Sequence, residues 1–372
     1  MIWNSVLQNM SAGRKRRESA GKRTGKRRRS AFAAALLGVS AAIIAAGCAG
    51  TGRVQGDTES SEHLSEDGRI SVVTTIFPPY DFVREIAGET VDLKMLLKPG
   101  EETHSYEPTP QDIIAIQNCD VFIYTGGEND VWVEDILSAV PESDMMTLRL
   151  ADCVETVEEE EVEGMKGSAG HSHSEASHDE DAHAEDAHDE HAEESVHEID
   201  EHVWTSPVNA SLIVERIKDV LSQVDPSRSA LYEENALSYQ EELKELDSRF
   251  REVVSDAKRD IMIFGDRFPF RYFADEYGLD YYAAFPGCAG DTEPSAATMV
   301  FLIEKVREEK VPAVLKMELS NDDIANAIAE ATGTEVKVFY SCHNLSADDF
   351  ENGETYLSMM QKNVETLKEV LN

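Results

Sequence analysis

Apolar residues follow two rhythms along this chain. Short β-branched runs bounded by Gly or Pro alternate with stretches in which apolar residues recur every three or four positions, the periods of buried strands and amphipathic helices. In a first series, strands are expected at 70–77, 91–97, 121–124 and 146–150, and helices at 80–87, 110–118 and 130–140. Pro78-Pro79 is expected to stop the first strand, and Gly88 to close the helix after it. A second series places strands at 260–264, 280–285, 311–317 and 335–340 and helices at 269–277, 295–309 and 321–331, with a mostly helical end from 348 to 372. Between the two series, 208–224 reads as an amphipathic helix ended by Asp225-Pro226, and 227–257 as one long helix. Roughly thirty helical residues span about 45 Å, enough to run along two lobes and tie them together. The alternation implies an α/β fold of two βαβ, Rossmann-like lobes with parallel sheets, in which ligands sit at the carboxyl ends of strands.

From Val154 to about Glu201 both rhythms stop. An acidic run, Glu158–Glu161, leads into repeated H-S-H and H-D-E-D-A-H segments, and seven of the chain's 11 histidines lie between His171 and His197. With almost no apolar residues, this segment reads as a disordered insertion of the first lobe. Histidines scattered among Asp and Glu offer several weak, quickly exchanging cation sites, which suits collection of a metal. The acidic run reads as a solvated charge block.

Charge divides the chain sharply. Ten of the 34 basic residues fall in 1–47 with a single acid, Glu18, leaving 24 basic against 72 acidic residues afterwards. Such a chain repels nucleic acid and favours cations. The basic start precedes A-F-A-A-A-L-L-G-V-S-A-A-I-I-A-A at 31–46, the pattern of a secretory signal; an uncleaved anchor is the alternative. The following A-A-G-C resembles a bacterial lipobox, which implies lipidation of Cys48 and anchoring outside the cytoplasm. Residues 49–68 read as a polar tether. Of the remaining cysteines, Cys119, Cys153, Cys288 and Cys342, a Cys288–Cys342 disulfide is the first expectation. The chain thus divides into a signal peptide (1–47), a lipid-anchored tether (48–68), a first lobe (69–225, with the disordered loop at about 154–201), a linking helix (226–257) and a second lobe (258–372).

Three histidines lie outside the tract and within folding sequence: His104, His202 and His343. Each sits in a loop at the end of a strand or just before a helix, and neutral imidazoles far apart in sequence commonly converge on zinc. Taken singly, each is equally readable as a surface or hydrogen-bonding histidine. His202 stands out because Val203, Trp204 and Pro207 follow it and can stiffen its backbone. Tyr106 and Trp204 read as walls of a pocket rather than as ligands.

The segment G-E-E-T-H-S-Y-E-P-T-P-Q-D around His104 resembles the first metal-ligand loop of the zinc and manganese substrate-binding proteins of ABC transporters, the TroA-like or cluster A-I group. The segment E-H-V-W-T-S-P around His202 resembles their second, and the acidic histidine-rich insertion is typical of the zinc branch. The resemblance covers about residues 69–372. It implies a TroA-like periplasmic-binding-protein fold joined by a long rigid helix, with one tightly held metal ion between the lobes and His104 and His202 as ligands. It further implies a monomer that works with a membrane permease and its ATPase subunit. The family's usual histidine of the second lobe falls on Arg267, and an aspartate is usual where F-Y-S-C-H-N stands. An exchange is therefore expected, in which Asp266 and His343 complete the ligand set. Asp266 is also readable as a turn carboxylate paired with Arg267, and Glu318 is the reserve ligand.

Imidazole-rich coordination with one carboxylate favours zinc over manganese. The expected function is capture of the ion without chemistry and its delivery to the permease; a manganese-binding member of the same group is the alternative. No H-E-x-x-H motif is present, which weighs against a secreted zinc hydrolase. A zinc-buffering adhesin is a reading that sequence does not separate from transport.

Overall fold

The computed structural model describes residues 68–101, 106–139, 144–165, 199–288 and 293–372. His104, the histidine tract, the signal peptide, Cys48 and the tether up to residue 67 lie outside them. β-Branched runs form the strands β1 (Ile70–Thr74), β2 (Val91–Met95), β3 (Val121–Tyr124) and β4 (Met146–Arg149). These pair in parallel in the order β2-β1-β3-β4. Helices α1 (Phe77–Ala87), α2 (Pro110–Gln117) and α3 (Val131–Ala139) complete this half. The central strands β1 and β3 are buried almost throughout, as expected of strands covered on both faces.

After α4 (Pro207–Val224) and the 27-residue α5 (Ser229–Ser255) comes a second parallel sheet. It contains β5 (Ile261–Phe268), β6 (Asp280–Pro286), β7 (Ala313–Lys316) and β8 (Glu335–Val338) in the order β6-β5-β7-β8. Helices α6 (Arg271–Tyr277), α7 (Ala296–Glu309), α8 (Asp323–Thr332), α9 (Ala347–Glu351) and α10 (Tyr356–Val370) surround it. The long helix α5 packs on α1 and α4 of the first half and on α6 and α10 of the second. One apolar cluster passes through both, with Phe82, Trp204, Tyr239, Phe250, Phe339 and Tyr356 among its members. Asp81 in α1 is buried and accepts from the Tyr356 N–H at the start of α10 (2.7 Å), so a carboxylate of one lobe caps a helix of the other. Burial pushes the Asp81 carboxyl up to about 6, against the pull of Arg84 and that N–H.

Four expectations need correction or refinement. Pro78-Pro79 does not separate a strand from a later helix: α1 starts at Phe77 and the prolines occupy its first turn, where a missing N–H costs no helical bond. Strand β5 runs four residues past 264, through an irregular register between Phe264 and Arg267. A Cβ on its Gly265 would stand 2.6 Å from Ala325 Cα, so glycine is what lets α8 lie against the strand. The final helix breaks into α9 and α10 around Gly353, whose φ is 77°.

The fourth correction concerns the insertion expected to be disordered from 154. Residues 154–165 are packed on the second lobe. Val154, Val157 and Val162 lie against the core, Met165 is buried, and Glu158 forms an antiparallel bridge with Ile199. The Val157 N–H donates to Tyr272 Oη (3.3 Å), and Glu160 pairs with Arg271 (3.1 Å) and accepts from Tyr281 Oη (3.2 Å). These few apolar residues, hidden among glutamates, suffice to dock the strap. No helix among the described residues is long and apolar enough to cross a membrane.

Candidate metal centre

His202 ends an extended segment just before a single helical turn, Val203–Thr205, and α4. Three bonds fix this junction. Ser206 caps α4 by accepting from Asn209 N (3.3 Å), Thr205 Oγ1 donates to the His202 carbonyl (2.8 Å), and Trp204 Nε1 donates to the Ser341 carbonyl of the second lobe (2.9 Å). One oxygen of the buried Asp200 accepts from the His202 backbone N–H (2.8 Å) and lies 3.0 Å from its Nδ1. With the proton on Nδ1 facing that carboxylate, the Nε2 lone pair is presented outward. Nε2 is buried and has no hydrogen-bond partner among the described residues. An unmet buried polar atom costs about 1–3 kcal/mol, so a ligand for it is the economical explanation. Burial opposes charge on this ring, but Asp200, Glu201 and Glu159 outweigh it and raise the His202 pKa.

His343 reaches the same place from the loop after β8. Its ring centroid lies 5.4 Å from that of His202, the planes nearly perpendicular at 86°, and 4.9 Å from that of Trp204. Ser341 Oγ accepts from the His343 backbone N–H (3.2 Å), while Ser341 N and Oγ donate to the two oxygens of Glu318 (2.8 and 3.0 Å). Burial pushes the Glu318 carboxyl up to about 7 despite these hydrogen bonds. The loop also crosses to the first lobe. Asn344 Nδ2 donates to the carbonyls of Lys98 and Glu101 (both 2.9 Å), and Gly100 N donates to the Leu345 carbonyl (2.8 Å). Asn344 therefore ties the loop after β8 to Lys98 and Glu101; His104, three residues further on, lies outside the described residues.

His202, His343, Arg267 and Glu318 line a cavity of about 40 Å³ between the strand ends of the two lobes. Organic ligands occupy about 300–1,000 Å³, whereas this volume suits an ion with little water. Asp266 is not among its lining residues. Its Oδ1 accepts from Arg267 N (2.8 Å) and its Oδ2 from Met317 N (2.9 Å), so it ties β5 to the end of β7. The longer β5 explains this, since residues 266 and 267 alternate on a strand instead of sharing a loop. Arg267, on the cavity wall, has no lone pair to offer a cation.

The expected Cys288–Cys342 disulfide is absent: Cys342 is a buried free thiol. Its backbone is left-handed, with φ 59°.

Three residues beside the histidines were not singled out as ligands or supports from sequence. Asp200 orients His202; a carboxylate two residues before a histidine was the available signal. Its replacement by Ala should weaken binding of an ion at Nε2 by about 10- to 100-fold in a zinc competition titration, the usual cost of losing a partner behind a metal-binding histidine. Glu201, buried, accepts from Asn129 N (3.3 Å) and from its side-chain amide. Ligand atoms of Glu201, His202 and Cys288 all lie within 4.8 Å of one another.

Comparison with known proteins identifies the family. The profile of the family described as ZnuA, zinc-uptake complex component A periplasmic, matches residues 72–370. The zinc-binding lipoprotein AdcA of Streptococcus pneumoniae is 32% identical over 310 residues, 83% of this chain and 57% of that relative. The chain thus spans little more than half the length of AdcA. The high-affinity zinc uptake system protein ZnuA of Bacillus subtilis is 27% identical over 339 residues, 90% of this chain and 97% of that one. The crystal structure of the Zn(II)-bound ZnuA-like domain of Streptococcus pneumoniae AdcA superposes with a TM-score of 0.63 at 29% identity, covering 82% of this chain and 99% of that domain.

Proposed function

Because this chain belongs to the zinc-uptake complex component A family, as its match over residues 72–370 establishes, we propose that it captures zinc outside the cytoplasm and delivers it to an ABC-type permease and its ATPase subunit. The observation that carries this reading is the buried Nε2 of His202, without a hydrogen-bond partner among the described residues, on a residue that lines a cavity of about 40 Å³, with a second histidine ring 5.4 Å away on the opposite lobe. His202 and His343 are the proposed nitrogen donors, joined by His104, three residues beyond Glu101. Of the two carboxylates, Glu318 stands on the cavity wall and Asp266 does not; the oxygens of both already accept from the protein, Glu318 from Ser341 N and Oγ and Asp266 from two backbone N–H groups. The ion sheds water on entering and is bound without reaction, as suits proteins named for binding and uptake.

Each ligand imidazole must be unprotonated to bind, so loading releases protons and weakens in acid. Release to the permease requires the histidine loops to move, and the Asn344 bonds to Lys98 and Glu101 are the ones that must loosen. Acylation of Cys48 would keep the protein at the membrane surface beside its permease, and the histidine tract would supply additional weak zinc sites.

Calorimetric titration of the full chain with zinc and with manganese tests the proposal. One tight zinc site plus weaker ones is expected, and failure to prefer zinc would overturn the assignment of cargo. Deleting 166–198 should remove the weak sites and leave the tight one within about twofold, whereas a deletion that also took the docked residues 154–165 should impair both.

A further inference from the structure

We propose that Cys288 is a thiolate ligand of the ion bound at His202, taking the fourth position beside the three histidines in place of a carboxylate, so that the second lobe supplies sulfur where its usual histidine is replaced by Arg267. The inference rests on the metal-capture reading and names a donor within that site. Its geometric basis is the cluster of Glu201, His202 and Cys288, whose ligand atoms lie within 4.8 Å of one another. Donors at about 2.0–2.3 Å from a tetrahedral zinc ion are about 3.3–3.8 Å apart, so assembly around an ion needs a closure of about 1 Å, within reach of side-chain rotation. Asp200 engages Nδ1 of His202, and the nitrogen left for the ion is the buried Nε2, which has no hydrogen-bond partner among the described residues.

The backbone around Cys288 is placed for this purpose. A Cβ at Gly287 would stand 3.1 Å from His202 Cε1 and 3.3 Å from Nδ1, so the turn after β6 lies close against the imidazole and a side chain there would crowd it. The next residue, Cys288, donates its backbone N–H to Glu159 Oε1 (2.8 Å). Glu159 belongs to the docked strap, which meets the His202 segment through Tyr272: Val157 N donates to Tyr272 Oη, which donates to the Asp200 carbonyl (2.7 Å). Three distant parts of the chain thus fix one thiol beside one imidazole. The buried thiols Cys119 and Cys342 have no such placement, since neither belongs to the cluster. A thiolate is a soft donor that suits zinc and disfavours manganese, so Cys288 would also set cargo preference.

Cobalt(II) tests the proposal, because its visible bands report tetrahedral binding by any donors whereas a strong near-ultraviolet thiolate-to-cobalt band reports sulfur. The reduced full chain loaded with cobalt should show both. Cys288→Ser, a change at a half-exposed turn, should lose the near-ultraviolet band, keep visible bands, and bind zinc at least about tenfold more weakly. His202→Ala should lose both signals. Visible bands without a sulfur band in the unmodified chain would refute the role of Cys288 and leave metal capture standing. A sulfur band that persists in Cys288→Ser or His202→Ala would also refute it, by locating the thiolate elsewhere. A chain that takes up neither cobalt nor zinc would remove the capture reading itself.

Discussion

Alanine at position 202 should weaken zinc binding by more than about 100-fold in competition against a chromophoric chelator. Loss of a residue that merely supports a metal-binding histidine costs about 10- to 100-fold, and this substitution deletes the imidazole along with the bond Asp200 makes to it. The fold should survive, because the junction is held by groups the change leaves in place: Ser206 caps α4, Thr205 Oγ1 still meets the backbone carbonyl of residue 202, and Trp204 still reaches Ser341. An unchanged far-ultraviolet spectrum together with lost binding is the expected pair of results. Binding equal to that of the unmodified chain would remove His202 from the site, and the role proposed for Cys288 with it.

Trp204→Ala should produce the largest loss of stability, about 3–5 kcal/mol by urea denaturation, the range for emptying the space of a large buried aromatic. Trp204 is fully buried, donates to the Ser341 carbonyl of the second lobe, accepts at its own carbonyl from Tyr356 Oη (2.8 Å), and lies against the His343 ring at a tilt of 58°. Zinc affinity should fall as well, since the wall that orients His343 is gone. Trp204→Phe separates the two effects. It keeps most of the packing but leaves the Ser341 carbonyl without its donor, at a cost of about 1–3 kcal/mol. A truncation costing under about 1 kcal/mol would mean that the lobes are held together elsewhere.

The alternation of strands and helices was legible because both lobes are buried parallel sheets, where β-branched runs and three-to-four periodicity are strong signals. What escaped was tertiary. The extension of β5 depends on Gly265 fitting against Ala325, and only that extension shows Asp266 and Arg267 as alternate positions of one strand. The strap at 154–165 was masked by its glutamates; its anchors, Val157, Val162 and Met165, are too few to register as periodicity but enough to dock once the second lobe offers a surface. For the site, histidines at strand ends were readable, and the structure brings the rings of His202 and His343 together. Cys288 was read only as a disulfide partner, because nothing in a linear sequence reveals that Gly287 lies against an imidazole 85 residues earlier.

If the chain delivers its ion to a permease as proposed, the apolar cluster that runs unbroken from one lobe into the other bears on how that partner could tell a filled receptor from an empty one. Swinging the halves apart would wet side chains such as Phe82, Trp204 and Tyr356, which meet across them, at about 1.5–3 kcal/mol for each large residue exposed. A wide clamshell cycle is therefore too expensive to serve as the signal. Occupancy must instead be written in the local relief of the rim, where the segment after β8 meets the one after β2, and a docking partner would have to read that small patch rather than an angle.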